Sequence, residues 1–261
     1  MAGEIRIERE GAIARVTLSH PGRLNAMSRA MWRALREAFE GFARDARLGC
    51  IVVRGEGGAF CAGGDISEYP GFRFDPAQLR AFHEDEVGAA LQAMLDCEVP
   101  AVAQIEGPCM GAGLEIASCC DVRIAGVTAK FGAPIAKLGF PMAPREAAVV
   151  HRAVGDTLAR DMLLAAGVHD AHRLLDAGFL LRVLPDHTVS DDAMSYARRV
   201  AALAPEAARA NKRVLAALTS AAVAQVGALL PTAYDYADSP EHREGIAAFL
   251  AKRPPVFRES P

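Results

Sequence analysis

Two glycine-rich turns, each leaving a run of apolar residues, constrain most strongly what this chain can become. Ile51-Val52-Val53-Arg54-Gly55 leads into Ala59-Phe60-Cys61-Ala62-Gly63-Gly64-Asp65, and Ala101-Val102-Ala103-Gln104-Ile105 leads into Gly107-Pro108-Cys109-Met110-Gly111-Ala112-Gly113-Leu114-Glu115. Both read as strand, turn, helix start. Glycine admits positive φ and lets a backbone come close to a ligand. The first turn of a helix exposes N–H groups and a partial positive charge. Two such turns aimed at one point make a hole for an anion. Glu115 is then expected on the helix that begins inside the second turn, beside that hole, where chemistry on a carbonyl becomes feasible.

The 261 residues allow one large domain, or one domain with a helical appendage. Hydrophobic residues make up 51% and charged residues 23%, which permits a packed core without covalent staples. The net charge of −3 and the lack of a basic tract argue against a nucleic-acid partner. The six cysteines, Cys50, Cys61, Cys97, Cys109, Cys119 and Cys120, form no C-x-x-C pair and no cluster with metal-ligand spacing. They read as reduced, buried thiols in a cytoplasmic protein, with no metal expected. The N-terminus has no signal-peptide pattern. The apolar stretch 221–230, interrupted by Gln225 and stopped by Pro231, is far short of the ~18 residues of a membrane span, so no membrane partner is expected.

Residues 5–18 alternate on either side of Glu10-Gly11 and predict a β-hairpin. After the turn-rich His20-Pro21-Gly22-Arg23-Leu24-Asn25, Ser28 is placed to cap a helix with the apolar stripe Met31, Leu35, Phe39 and Phe42. Trp32 is expected to pack beside that stripe. The unbroken run 51–53 predicts a strand covered on both faces. Residues 68–74 read as irregular. Asp75-Pro76 then starts a helix that continues to Cys97 with Leu79, Phe82, Val87, Leu91 and Met94 on its apolar face. A helix follows the second glycine turn, then a strand at 121–125, while 131–135 and 138–141 read as loops. From Arg145 the pattern is helical at 145–154, 156–166, 171–177, 193–203, 205–218 and 239–252, with one further strand at 181–184. Repeated strand–turn–helix units with right-handed crossovers imply an α/β spiral closed by a helical C-terminal segment.

These residues resemble the enoyl-CoA hydratase/isomerase family, also called the crotonase family, over nearly the whole chain. Pro21-Gly22-Arg23-Leu24-Asn25-Ala26-Met27 is similar to the family's early turn, which skirts the coenzyme. The stretch Ala59 through Ile66 is similar to its first oxyanion turn, and Gly111-Ala112-Gly113-Leu114-Glu115 to its second. Ala129-Lys130-Phe131-Gly132-Ala133-Pro134 is similar to the strand before its second acidic position, and residues 244–253 to its C-terminal signature. One such match is weak; five in order are strong. The resemblance implies a crotonase-like spiral of repeated ββα units as the acyl-CoA-binding core over 1–195. It implies a helical segment over 196–261 that builds homotrimers or dimers of trimers. It also implies an acyl-CoA thioester as substrate, with coenzyme A entering only as part of it and no separate cofactor.

On the same resemblance, the backbone N–H groups of Ala62 and Ala112 hold the thioester oxygen and Glu115 is the acid/base. Arg23, Leu24, Cys61, Ala62, Gly64, Asp65, Ile66, Gly111, Pro134, Ile135, Phe249 and Lys252 surround the substrate. The family's hydratases use two glutamates on one water. Glu115 matches the first, but the second falls on Ile135, which cannot accept a proton. The reaction is therefore open between enoyl-CoA hydration, the nominal reading, and double-bond isomerisation, decarboxylation or thioester hydrolysis on the same fold. A catalytically weak acyl-CoA-binding protein is the alternative of another class.

Asp65 is expected to cap the helix after the first turn. Glu68, Tyr69 and His83 flank or follow the irregular stretch and are candidates to face the acyl group, with an exposed helical position expected for His83. His151 and His172 are expected at the surface, and Glu106 as a strand-end carboxylate. Arg23, Lys252 and Arg253 are candidates for coenzyme phosphates.

Overall fold

The computed structural model describes residues 2–219, 231 and 234–255; the apolar stretch 221–230 lies outside them, as does part of the 196–261 segment. The hairpin forms as expected: β1 (Glu4–Glu10) pairs antiparallel with β2 (Ile13–Ser19), Glu10 opposite Ile13. Gly11 sits at φ +58 in the two-residue loop, where matching the twist of the strands requires positive φ. The charged, mostly exposed side chains of β1 protect the free edge of the sheet. α1 (Arg29–Ala43) is capped by the Ser28 hydroxyl, which accepts the Met31 N–H at 3.3 Å, and buries the predicted stripe together with Trp32.

β3 (Cys50–Gly55) is followed by the first glycine turn and a 3₁₀ turn, Ile66–Gly71. α2 (Pro76–Ala81) starts at the predicted cap, the Asp75 carboxylate accepting the Gln78 N–H at 2.8 Å. The helix expected to run unbroken to Cys97 does not: a π-helical stretch, Phe82–Gly88, separates α2 from α3 (Ala89–Asp96). π turns rotate the following side chains relative to an α-helical register and recur at functional sites. Then come β4 (Ala101–Ile105), β5 (Pro108–Met110), α4 (Ala112–Cys119), β6 (Val122–Gly126) and β7 (Lys130–Gly132). The C-terminal half adds α5 (Pro144–Val154), α6 (Asp156–Leu164), β8 (Val168–Asp170), α7 (Ala171–Asp176), β9 (Arg182–Leu184), α8 (Val189–Ala201), α9 (Pro205–Thr219) and α10 (Pro240–Leu250).

The main sheet has the order β1-β2-β3-β4-β6-β9 and is parallel from β2 onward. Alternation along β3 sends Ile51 and Val53 to a face covered by α1 and α3, and Cys50 and Val52 to a face covered by Val189, Ala193 and Ala197 of α8. Both faces are thus buried, as the unbroken apolar run requires. A second sheet, β5-β7-β8, consists of three-residue strands, too short to show a period in the sequence; residues 131–135, read as a loop, begin inside β7. Because β3 and β4 run parallel, with Ile51 opposite Ala101, both glycine turns emerge at the carboxyl end of the sheet, where open α/β sheets bind ligands.

Candidate active site

The two turns are bound to each other. The Cys61 N–H donates to the Pro108 carbonyl at 2.9 Å, and the Met110 N–H donates to the Cys61 carbonyl at 2.9 Å. A Cβ at position 113 would lie 2.5 Å from the Cys61 carbonyl oxygen, so glycine there is what lets the turns touch. The first turn is also tied to the early loop: the Met27 N–H donates to the Gly63 carbonyl and the Asp65 N–H to the Met27 carbonyl, both at 2.8 Å. The Ala62 N–H donates to the Leu24 carbonyl at 3.0 Å. This corrects the expectation that Ala62 holds an oxyanion, because its only donor is committed. Two residues on, the Gly64 N–H has no acceptor among the described residues, and neither has the Ala112 N–H in the first turn of α4.

A cavity of about 440 Å³ opens beside both groups. Glu115 lines it and is 5% exposed. Burial raises its pKa well above the ordinary carboxylate value, the charge of Glu146 adds to the rise, and Arg73 opposes it. Burial thus favours the protonated form of Glu115. Tyr69 closes the adjacent wall; a Cβ on Gly64 would overlap its hydroxyl, and burial pushes its pKa up to about 12.

Opposite Glu115 the structure assembles a cluster the sequence did not reveal. Arg73 is almost fully buried, its guanidinium 4.4 Å from the Tyr69 ring centroid and 4.0 Å from that of Phe140. Its Nη1 lies 3.3 Å from His83 Nε2, and its Nε donates to His242 Nε2 at 3.3 Å. A guanidinium can only donate, so both Nε2 atoms are acceptors and each ring proton sits on Nδ1. The Nδ1–H of His83 then donates to Glu146 Oε1 at 2.5 Å, and that of His242 to the Ala237 carbonyl at 3.0 Å. Both rings are neutral: burial first, and Arg73 second, hold His83 well below the ordinary histidine value and bring His242 to about 4. The His83–Glu146 contact is a hydrogen bond from a neutral imidazole. Burial raises Glu146 to about 8, against the lowering by Arg73.

A sequence model of the enoyl-CoA hydratase/isomerase family matches residues 8–260. The chain belongs to the enoyl-CoA hydratase/isomerase family. It is 30% identical over 253 residues to a probable enoyl-CoA hydratase of Rhizobium meliloti (strain 1021), covering 97% of this chain and 96% of that one. It is 30% identical over 259 residues to the 2,3-dehydroadipyl-CoA hydratase of Escherichia coli (strain K12), covering 98% of each. Among solved structures, an enoyl-CoA hydratase/carnithine racemase from Magnetospirillum magneticum is similar with a TM-score of 0.80 at 38% identity, covering 98% of this chain and 96% of that one. The crotonase-like α/β fold follows.

Measured against the enoyl-CoA hydratase/isomerase pattern, Arg23, Ala62, Gly64, Asp65, Ile66, Gly111, Ala112, Pro134, Ile135 and Phe249 line the cavity with Glu115. Three expected residues lie outside its lining. The Leu24 side chain is turned outward, 58% exposed, and Leu24 serves through its carbonyl. Cys61 is buried beneath the turn, its thiol 3.5 Å from the Gly63 carbonyl oxygen and pushed up to about 12 by burial. Lys252 is exposed beyond the end of α10, and Arg253 pairs with Glu244 at 2.6 Å. Asp65 caps the 3₁₀ turn through the Ser67 N–H at 3.1 Å, as expected, and also binds Arg23 at 3.1 Å. Lys137, at the rim, is a cation the sequence reading passed over.

His83, expected at the surface, is instead buried in the cavity wall. His151 and His172 are exposed, and Glu106 accepts from Gln104 at 2.8 Å away from the lining. Phe249 and Leu250 of α10 cover the chain's own cavity. Among the described residues no group of three His, Cys, Asp or Glu side chains could hold a metal ion, and no helix is long and apolar enough to cross a membrane.

A sequence signal for two of the missed residues existed. Glu146 falls on the apolar stripe of α5 with Val149 and Val150, and His83 is four residues from both Leu79 and Val87. A titratable residue in a buried stripe is a candidate for function. Arg73 lay in a stretch without a period and gave no such signal.

Proposed function

We propose that this protein adds water across the 2,3-double bond of an acyl-CoA thioester, through an enolate whose oxygen is held by the Gly64 and Ala112 N–H groups. The observation that carries the reading is Glu115, a buried acid on a helix that starts in one of two interlocked glycine turns, next to two uncommitted N–H donors. Adding an oxygen nucleophile to the β-carbon pushes an electron pair onto the thioester oxygen. Two preorganised donors stabilise that charge, each typically worth about 2.7–4 kcal/mol. Glu115, protonated, then delivers its proton to the α-carbon. Family relatives named as hydratases, at 30% identity over nearly the whole chain, support the same reaction.

The coenzyme is proposed to leave the cavity past Arg23 and Lys137, whose charges suit its phosphates. We further propose cytoplasmic homotrimers or dimers of trimers formed through 196–261, where α9 exposes Val214 and Leu215 at 60% and 64%. Sedimentation equilibrium tests this: a monomer would reject it.

A second reading, isomerisation between 3- and 2-enoyl-CoA by Glu115 alone, is favoured by Ile135, which lines the cavity where the family pattern has a second acid. Assays with crotonyl-CoA and with a 3-enoyl-CoA in parallel separate the two. Hydration of the first without conversion of the second supports our reading; the reverse supports isomerisation. Failure of any CoA thioester to bind in isothermal titration rejects both.

A further inference from the structure

We infer that Glu146, oriented by His83, is the group that takes the proton from the attacking water, supplied from α5 in place of the position occupied by Ile135. The inference rests on the hydration reading. Glu146 lines the same cavity as Glu115 and is 5% exposed. Its third place in α5, just after Pro144, puts it where a helix favours negative charge. One oxygen is fixed by the His83 Nδ1–H at 2.5 Å, and the Ala143 backbone N–H also donates to the carboxylate, so the group is held in one orientation at the cavity wall. The tautomer of His83 is itself imposed by Arg73, which cannot accept a hydrogen bond. His83 reaches inward from the π-helical stretch, where it stacks on Tyr234 at 5.7 Å. A ring held between a cation and a carboxylate, on an interrupted helix, is an arrangement for orienting that carboxylate. His83 is thus a positioning residue.

The groups that face Glu146 electrostatically are Arg73 from the loop before α2, His83 and Glu84 from the π-helical stretch, Glu115 from α4, Tyr69, and Tyr234. The working form has one proton between the two glutamates. The Glu146 carboxylate removes a proton from water as the oxygen bonds to the β-carbon. The π pair moves to form the thioester enolate, and its collapse takes the proton of Glu115 onto the α-carbon. Glu146 is left protonated and Glu115 ionised. Return of that proton to Glu115 through solvent restores the starting state, so water is added with no other reactant. Because burial raises Glu146 to about 8, hydration is expected to rise as pH passes through that value and the carboxylate forms.

The test measures two reactions in the full-length protein: hydration of crotonyl-CoA across pH, and exchange of the α-protons of butyryl-CoA in heavy water. The second requires the enolate and Glu115 but no attack by water. In Glu146→Gln, hydration is expected to fall by about 10²–10⁴-fold while exchange falls by less than about tenfold, and Glu146→Asp recovers part of the hydration. His83→Phe removes the donor to the carboxylate and should move the acid limb of hydration to higher pH. His83→Asn, which keeps a donor near the Nδ1 position, should restore it. Hydration by Glu146→Gln within about fivefold of wild type, with the acid limb unchanged, overturns the inference and leaves the hydration reading standing. Wild-type protein that exchanges α-protons but hydrates no enoyl-CoA overturns both.

Discussion

Gly113→Ala tests whether contact between the two turns is what aims their N–H groups. The added Cβ would lie 2.5 Å from the Cys61 carbonyl oxygen and 2.9 Å from the Cys61 Cβ. Contacts below 3.0 Å are essentially absent from real structures, so the turns must separate by at least about 0.5 Å. The obstructing oxygen is backbone and accepts the Met110 N–H, so it cannot swing aside as a side-chain tip would. A shift of this size in a catalytic group approaches the ~1 Å that costs roughly 10²-fold in rate. Overpacking costs about 1–3 kcal/mol, partly offset by ~1 kcal/mol from replacing glycine with alanine in a helix. The expected result is kcat/KM for crotonyl-CoA lowered by about 10²-fold, with stability in urea melts lowered by no more than about 2 kcal/mol. Activity within about threefold of wild type would refute the claim that this contact positions the donors.

Gly41→Ala serves as the opposite case, since its Cβ meets nothing within 4 Å and the site lies inside α1; stability should rise by about 0.4–1 kcal/mol in the same melts. Trp32→Ala should cost about 3–5 kcal/mol by denaturant titration, because the side chain is 1% exposed in the main core. Glu115 and Glu146 have folded-state pKa values above their unfolded ones, so the stability they contribute is complete at low pH and is lost as pH rises. For Glu146 that window runs from the ordinary carboxylate value to about 8, and melting temperatures of Glu146→Gln should gain on wild type across it. The buried thiols of Cys50, Cys61 and Cys120, held near about 12, should resist iodoacetamide at pH 8 in the folded protein and react on unfolding, as mass spectrometry would count.

Much of this architecture is legible in the chain because local chemistry dictates it. Ser28 and Asp75 cap the helices they were expected to start. The alternation of 5–18 and the unbroken run of β3 predict an edge hairpin and a doubly covered strand, and both form. The glycine turns declare positive φ and close approach through composition alone. Three-residue strands such as β7 are too short to carry a period. The π-helical stretch lies within the continuous apolar pattern of 79–95, which carries no local mark of it. The cluster of Arg73, His83, Glu146 and His242 joins residues up to 169 positions apart, and nothing local requires them to meet. The same reasoning explains the error over Ala62: the turn was recognisable, but which of its N–H groups faces inward depends on Leu24, in another loop.

The central claim is that Glu115 is the acid beside an enolate held by the glycine turns. Steady-state hydration of crotonyl-CoA by wild type and by Glu115→Gln, with CoA-thioester affinity measured on both, tests it most directly. The account predicts that the wild type forms 3-hydroxybutyryl-CoA, and that the variant binds thioester within a few-fold but turns over about 10²–10⁴-fold more slowly. A Glu115→Gln variant that hydrates crotonyl-CoA at the wild-type rate would contradict it.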